Sequence, residues 1–266
     1  MDTTPHPLAV VTGGSSGIGL ELARQCADHG FDLVIAADER RVQWAADELR
    51  RGGAGVIAVA VDLAAPEGVE ALHAAIRGAG RPVDALLLNA GTGTGGAFVD
   101  VDLADDLRVV DLNVRANVHL AKLVVPAMVE RGSGRVLLTS SIAADIPGAY
   151  QSTYNASKAF IQSFALALRA ELEGSGVTVT ALMPGPTDTP FFSRAPGMED
   201  TRIADGPKDD PVDVAADGFA AMMAGDERAV SSSLLTKVQH MGSRLLPDTL
   251  KAELNRIMAA PGSGDS

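Results

Sequence analysis

Along most of the chain, short and almost unbroken apolar runs alternate with Ala- and Leu-rich stretches whose apolar positions recur at helical spacing. An apolar run without polar alternation marks a strand covered on both faces, and helices between such strands are what cover them. Six runs predict buried strands, at 8–11, 32–36, 56–61, 84–88, 135–139 and 177–182, with a weaker seventh at 229–232. The stretches between them predict helices at 17–29, 40–50, 68–77, 103–130 and 153–173. Right-handed crossovers between parallel neighbours turn this order into an α/β fold, a doubly wound parallel sheet of about seven strands with helices on both faces. Its functional crevice is expected at the carboxyl ends of the strands.

The rhythm breaks after the sixth strand. Residues 186–211 are rich in proline and charge and contain Phe191-Phe192, which predicts a lid over the crevice, followed by a helix at 212–223. Residues 234–258 predict one or two amphipathic helices interrupted at Pro247, and 261–266 a disordered tail. Nothing resembles a linker, so all 266 residues are expected to form a single domain.

Composition removes several function classes. A net charge of −12 opposes phosphate backbones and anionic headgroups, so neither nucleic acid nor membrane is an expected partner. Cys26 is the single cysteine, which excludes an intrachain disulfide and any cysteine-built zinc site. The five histidines show no paired ligand spacing, and no metal is expected. The amino terminus is short and polar, and no stretch reaches the roughly 20 apolar residues of a membrane span, so a cytoplasmic location is expected.

Candidate chemistry begins directly after the first strand, at Thr12-Gly13-Gly14-Ser15-Ser16-Gly17-Ile18-Gly19. Missing β-carbons let this backbone turn tightly and approach a pyrophosphate, and the following helix offers unpaired N–H groups and its positive dipole end. The strand before and the helix after supply the context of a Rossmann-type dinucleotide cradle. Asp38 follows Gly19 by 19 positions and ends the second strand, the place of a carboxylate that accepts from an adenosine ribose. That favours NAD, because a 2′-phosphate would meet Asp38 and Glu39; Arg40 and Arg41 could turn toward such a phosphate, and Asp38 could instead be a surface helix cap. Asp62, or the amide of Leu63, can bond the adenine amino group. Asn89-Ala90-Gly91 closes the fourth strand with residues small enough to pass a ribose, and Asn89 can also tie adjacent strands.

Ser141, Tyr154 and Lys158 form the chemical constellation. Tyr154 and Lys158 are four apart on a predicted helix, hence on one face. A free phenol titrates near ~10, and a neighbouring cation favours its phenolate, so Lys158 suits Tyr154 to proton exchange. Ser141 follows the fifth strand and can hold a substrate oxygen; Ser140 competes for that role, and strand alternation sends only one of the two to the crevice. Tyr150, two turns from Lys158, is expected to line the substrate pocket instead.

With these residues in place the chain resembles the single-domain form of the short-chain dehydrogenase/reductase family. The resemblance rests on Thr12-Gly-x-x-x-Gly17-Ile-Gly19, Asn89-Ala-Gly91, Asn113 within Asp111-Leu-Asn-Val114, Ser140-Ser141, Tyr154-x-x-x-Lys158 and Pro184-Gly185 with Thr189, in the family's order and spacing. It implies hydride transfer between a nicotinamide and a carbonyl or secondary alcohol, with Tyr154 as general acid in reduction and base in oxidation. Lys158 would then bind the nicotinamide ribose and tune Tyr154, and Ser141 would polarise the carbonyl. Asn113 would hold a water linking Lys158 to solvent, although it could merely satisfy backbone groups in a kinked helix. Pro184, Gly185, Thr187 and Thr189 would lie against the carboxamide and pyrophosphate. Phe98, Tyr150, Phe191, Phe192 and Met198 are expected around an apolar to moderately polar small-molecule substrate. Apolar positions on 114–128 and 160–172 imply a homodimer or homotetramer. Two alternatives stay open: an NADP-dependent carbonyl reductase, and a non-catalytic NAD(P)-binding redox sensor.

Overall fold

The computed structural model describes residues 6–38, 41–230 and 246–264. Its sheet has seven strands, all parallel, in the order β3-β2-β1-β4-β5-β6-β7. They are β1 (Leu8–Thr12), β2 (Asp32–Ala37), β3 (Val56–Ala60), β4 (Ala85–Leu88), β5 (Gly134–Thr139), β6 (Val177–Met183) and β7 (Arg228–Val230). The crossovers are α1 (Gly17–Asp28), α2 (Arg41–Arg51), α3 (Pro66–Gly78), α4 (Leu103–Val110) with α5 (Ala116–Arg131), and α6 (Ser152–Glu171). The segment after β6 carries two short helices, α7 (Phe191–Arg194) and α8 (Arg202–Asp205), then α9 (Pro211–Ala224); α10 (Asp248–Met258) follows later. Of the helices expected at 234–258, the part at 234–245 lies outside the described residues, and α10 starts immediately after Pro247.

Successive residues of a strand point to opposite faces, so the apolar runs feed two cores at once. Leu8, Val10, Leu86 and Val136 pack under α3, α5 and α6 with Leu72, Leu120 and Ile161. Ala9, Val11, Leu33 and Leu87 pack on the other face under α1, α2 and α9 with Leu22, Val42 and Phe219. Each fully buried leucine contributes on the order of 1.5–3 kcal/mol. Winding reverses between β1 and β4, which are neighbours in the sheet although β2 and β3 separate them in sequence, and this switch point opens the crevice at their carboxyl ends.

The helix expected at 103–130 is there, with one interruption. Residues Asp111–Arg115 form a π-helical turn between α4 and α5. A π turn inserts one extra residue into the α ladder and re-aims a side chain, a device common at functional sites. Here the re-aimed side chain is Asn113, which is 1% exposed.

The segment 184–210 runs across the crevice and is pinned at its root. Thr187 pairs with Asp209 in a parallel bridge, and the Gly95 N–H donates to the Pro196 carbonyl at 2.8 Å. A β-carbon on Gly95 would stand 2.3 Å from the Gly197 carbonyl oxygen, so this close backbone passage requires glycine. Of the tail expected to be disordered, residues 261–264 lie against this segment, where Ser263 Oγ accepts from the Arg202 N–H at 3.2 Å. The tail therefore has a partner that the isolated sequence does not reveal.

Candidate active site

The crevice is a cavity of about 850 Å³ that runs from the glycine-rich turn to α10. At one end lie Gly13, Ser15, Ser16, Gly17 and Ile18, with Asp38, Asp62 and Leu63 beside them. Asn89, Ala90, Gly91, Ser141, Tyr154 and Lys158 form its middle, faced by Pro184, Gly185, Thr187 and Thr189. The structure thus brings nearly all the residues singled out above around one space. Gly19 sits behind the wall: a β-carbon there would fall 2.2 Å from the Gly13 carbonyl oxygen and 2.4 Å from Asn89 Nδ2. Gly19→Ala is therefore expected to lower the melting temperature by roughly 3–10 °C, because overpacking against backbone costs about 1–3 kcal/mol. An unchanged melting temperature in a thermal scan would contradict this packing.

The turn fits a dinucleotide on its own geometry. Among the described residues α1 has no side-chain cap and no acidic residue in its first turn, so its leading N–H groups stay available to an anion. Asn89 fixes the strands around it. Its Nδ2 donates to the Thr12 carbonyl at 3.3 Å and its Oδ1 accepts from Thr139 Oγ1 at 3.1 Å, linking β1, β4 and β5 at the switch point.

The polar centre is built from β5 and α6. Ser141 Oγ accepts from the Ala143 N–H at 3.1 Å and donates to the Pro184 carbonyl at 3.3 Å, and it lies close enough to the Tyr154 phenol to ease its ionisation. Ser140 points the other way, its Oγ donating to the Lys158 carbonyl at 2.8 Å. Lys158 Nζ donates to the Thr139 carbonyl at 3.0 Å and lies 5.8 Å from the centre of the Tyr154 ring. Burial pushes the Tyr154 phenol up to about 12 although Ser141 works the other way, and pushes the Lys158 ammonium down to about 8. Asn113 is tied down by its side chain: Nδ2 donates to the Thr92 carbonyl and to Ser157 Oγ, both at 2.9 Å, and Oδ1 accepts from the Thr92 N–H at 2.9 Å. Its own carbonyl accepts from Asn117 Nδ2 at 2.6 Å. Asn113 thus anchors the loop after β4 beside Lys158.

The family model for short chain dehydrogenases matches residues 7–200. The chain belongs to the short-chain dehydrogenase/reductase family. A short chain dehydrogenase of Pseudocercospora fijiensis is 39% identical over 184 residues, which are 68% of this chain and 60% of that protein's length. A short-chain dehydrogenase/reductase of Burkholderia phymatum, solved in complex with NAD, superposes with a TM-score of 0.82 at 25% identity and covers 100% of both chains. A short-chain dehydrogenase of Sphingobium yanoikuyae, solved with NADPH, gives 0.79 at 28% identity over 90% of this chain and 93% of that one. The chain is thus an oxidoreductase of a family that works on alcohol and carbonyl groups.

Two expectations for this short-chain dehydrogenase fail. Phe98 is 71% exposed and faces a separate shallow depression with Val110 and Val114, because the chain leaves the crevice through Gly96 at φ 127° before reaching it. Tyr150 is also absent from the cavity wall. Its backbone takes a left-handed φ of 65°, and its side chain turns outward to Arg256 of α10. Phe191, Phe192 and Met198 do line the cavity, with the Phe191 ring centre 5.4 Å from that of Tyr154.

Three further parts of the wall take their place there in the structure without the sequence having assigned them to it. The first is α10, which closes the far end with Leu254 and Met258 and is fastened by Lys251 Nζ to the Asp145 carbonyl at 3.1 Å and by Asn255 Nδ2 to the Ala149 carbonyl at 2.8 Å. Gln151 is the second, 4% exposed, its Nε2 without a hydrogen-bond partner among the described residues. The third is Arg108 of α4, whose guanidinium reaches Asp62 and Asp38 from across the sheet. No membrane-length apolar helix and no cluster of three or more potential metal ligands occurs among the described residues.

Proposed function

We propose that the protein reduces ketones, or oxidises the matching secondary alcohols, with NAD(H) as the preferred cofactor and Tyr154 as the proton-exchanging residue. The observation that carries this reading is a phenol beside Ser141, one helical turn from a buried ammonium, in a cavity continuous with the glycine cradle. Gly13, Ser15, Ser16, Gly17 and Ile18 would hold the pyrophosphate, with Gly19 packed behind them; Asp38, Asp62 and Leu63 the adenosine; Asn89, Ala90, Gly91 and Lys158 the nicotinamide ribose; and Pro184, Gly185, Thr187 and Thr189 the carboxamide side. When bound, the nicotinamide supplies or takes up the hydride at the substrate carbon.

The residues of the chain do the remaining work. Ser141 donates to the substrate oxygen and holds it beside the phenol. Burial keeps Tyr154 protonated, as a proton donor to a developing alkoxide must be. In the reverse direction the charge on Lys158 stabilises the phenolate. Asn113 keeps the loop after β4 and the π turn in register with Lys158. The segment 186–211 acts as a lid, and the apolar side chains of Ile142, Ile146, Phe191, Leu254 and Met258 favour a bulky, mostly apolar ketone. NAD preference is supported by Asp38 at the end of β2, whose carboxylate would accept from a ribose diol and oppose a phosphate there.

The test is cofactor oxidation against a panel of ketones graded in size. Turnover that rises from small to aryl and branched-alkyl ketones is expected. Dinucleotide binding with no turnover anywhere in the panel would contradict the proposal and favour a redox sensor.

The outer surface bears on assembly. Leu103, Leu107 and Val110 of α4, with Phe98 and Val99 before it and Phe160 of α6, form an exposed apolar face. It runs along α4 more than along α5, where most apolar side chains are buried. A homodimer or homotetramer through α4 and α6 is expected by light scattering at micromolar concentration, and Phe160→Glu should shift it toward monomer. A monomeric wild-type protein would contradict this.

A further inference from the structure

The adenosine end of the cavity holds a three-residue ion-pair bridge. Arg108 Nη1 donates to Asp62 Oδ2 at 2.8 Å, and Nη2 lies 3.3 Å from Asp62 Oδ1 and 3.5 Å from Asp38 Oδ2. The grip on Asp62 is two-pronged and holds Asp62 well below the usual carboxylate range, whereas the contact with Asp38 is single and long. Asp38 is also the more exposed carboxylate, 57% against 45%, so its share of the bridge is weak and replaceable. Arg108 is a cavity-lining cation that pairs with both carboxylates, whereas Arg41 lies exposed outside the wall.

We propose that Arg108 determines how far the site tolerates a 2′-phosphate on the adenosine ribose. Resting on the cofactor reading above, the arrangement has two settings. With a ribose diol, Asp38 accepts the hydroxyl hydrogens and Arg108 screens it from Asp62. With a phosphate, Arg108 keeps Nη1 on Asp62, releases Asp38 and turns its remaining N–H groups to the phosphate oxygens. The guanidinium supplies parallel donors, so it can serve a carboxylate and a phosphate together, which an ammonium cannot do in the same geometry. Without Arg108, two neighbouring carboxylates would face the phosphate unscreened.

The experiment measures equilibrium binding of NADH and NADPH by fluorescence titration, without substrate, for wild type, Arg108→Met, Arg108→Lys and Asp38→Asn. Arg108→Met should weaken NADPH at least tenfold more than NADH. Arg108→Lys, which keeps charge but loses the fork, should fall between wild type and Arg108→Met. Asp38→Asn should strengthen NADPH relative to NADH. Equal weakening of both cofactors in Arg108→Met would overturn the proposal, since Arg108 would then only brace the loop of Asp62, and so would an unchanged NADPH-to-NADH ratio. A wild type that binds neither dinucleotide would overturn the cofactor reading itself, a result that no outcome of the Arg108 variants mimics.

Discussion

Replacing Tyr154 by phenylalanine is expected to lower kcat for ketone reduction by about 10²–10⁴-fold and to leave cofactor affinity within about threefold. The substitution removes one oxygen from a ring already held against Phe191, so the cavity wall keeps its shape. Only the proton donor beside Ser141 is lost. Steady-state kinetics with a cofactor titration separate the two quantities: a fall in kcat with unchanged binding marks a group that acts in the chemical step. An equal loss in both would mean that the ring matters as packing.

The second large effect belongs to Lys158. Its ammonium is pushed down to about 8 by burial, so it loses its proton within an accessible pH range. Both directions work through the ammonium beside the phenol, so turnover should fall as pH rises through about 8. Lys158→Met should erase this inflection and lower kcat/KM by about 10³-fold, through a phenol left without its cation. The same shift has a stability consequence. The folded value of about 8 lies below the free-lysine value of 10.5, so the unfolded chain binds more protons between them and stability rises with pH across that interval. The penalty is present below 8 and relieved above 10.5. Melting temperatures measured from pH 7 to 10 should show that rise in wild type and a flatter profile in Lys158→Met. Identical profiles would mean that Lys158 does not titrate in this window.

The strands were legible because a parallel sheet buried on both faces leaves runs such as Leu8-Ala-Val-Val11 and Ala85-Leu-Leu-Leu88, which no other element explains as simply. Tyr154 and Lys158 were legible because four residues on a helix is a distance as well as a spacing. Ser141 could be preferred to Ser140 only in principle; the structure shows their hydroxyls turned to opposite sides. What escaped depends on contacts distant in sequence. Arg108 meets Asp38 across 70 positions, and Lys251 and Asn255 meet the loop before α6 across 106. The π turn at Asp111–Arg115 escaped for a different reason. Its stabilising partners, Thr92 and Ser157 around Asn113, are local only in space, while its residues have ordinary helical composition. Tyr150 misled because its place in the pocket was inferred from its spacing to Lys158, whereas its backbone is left-handed at φ 65° and its side chain lies toward Arg256 of α10.

The central claim is direct hydride transfer at a site where Tyr154 supplies the proton. The most direct measurement is a single turnover with NADH deuterated at the transferring position and a bulky ketone, followed by mass spectrometry of the alcohol. Wild type is expected to place one deuterium on the carbinol carbon, none of it exchanged with solvent, and Tyr154→Phe to do so far more slowly from an equally well-bound cofactor. Label missing from the product, or a Tyr154→Phe variant as fast as wild type, would contradict the account.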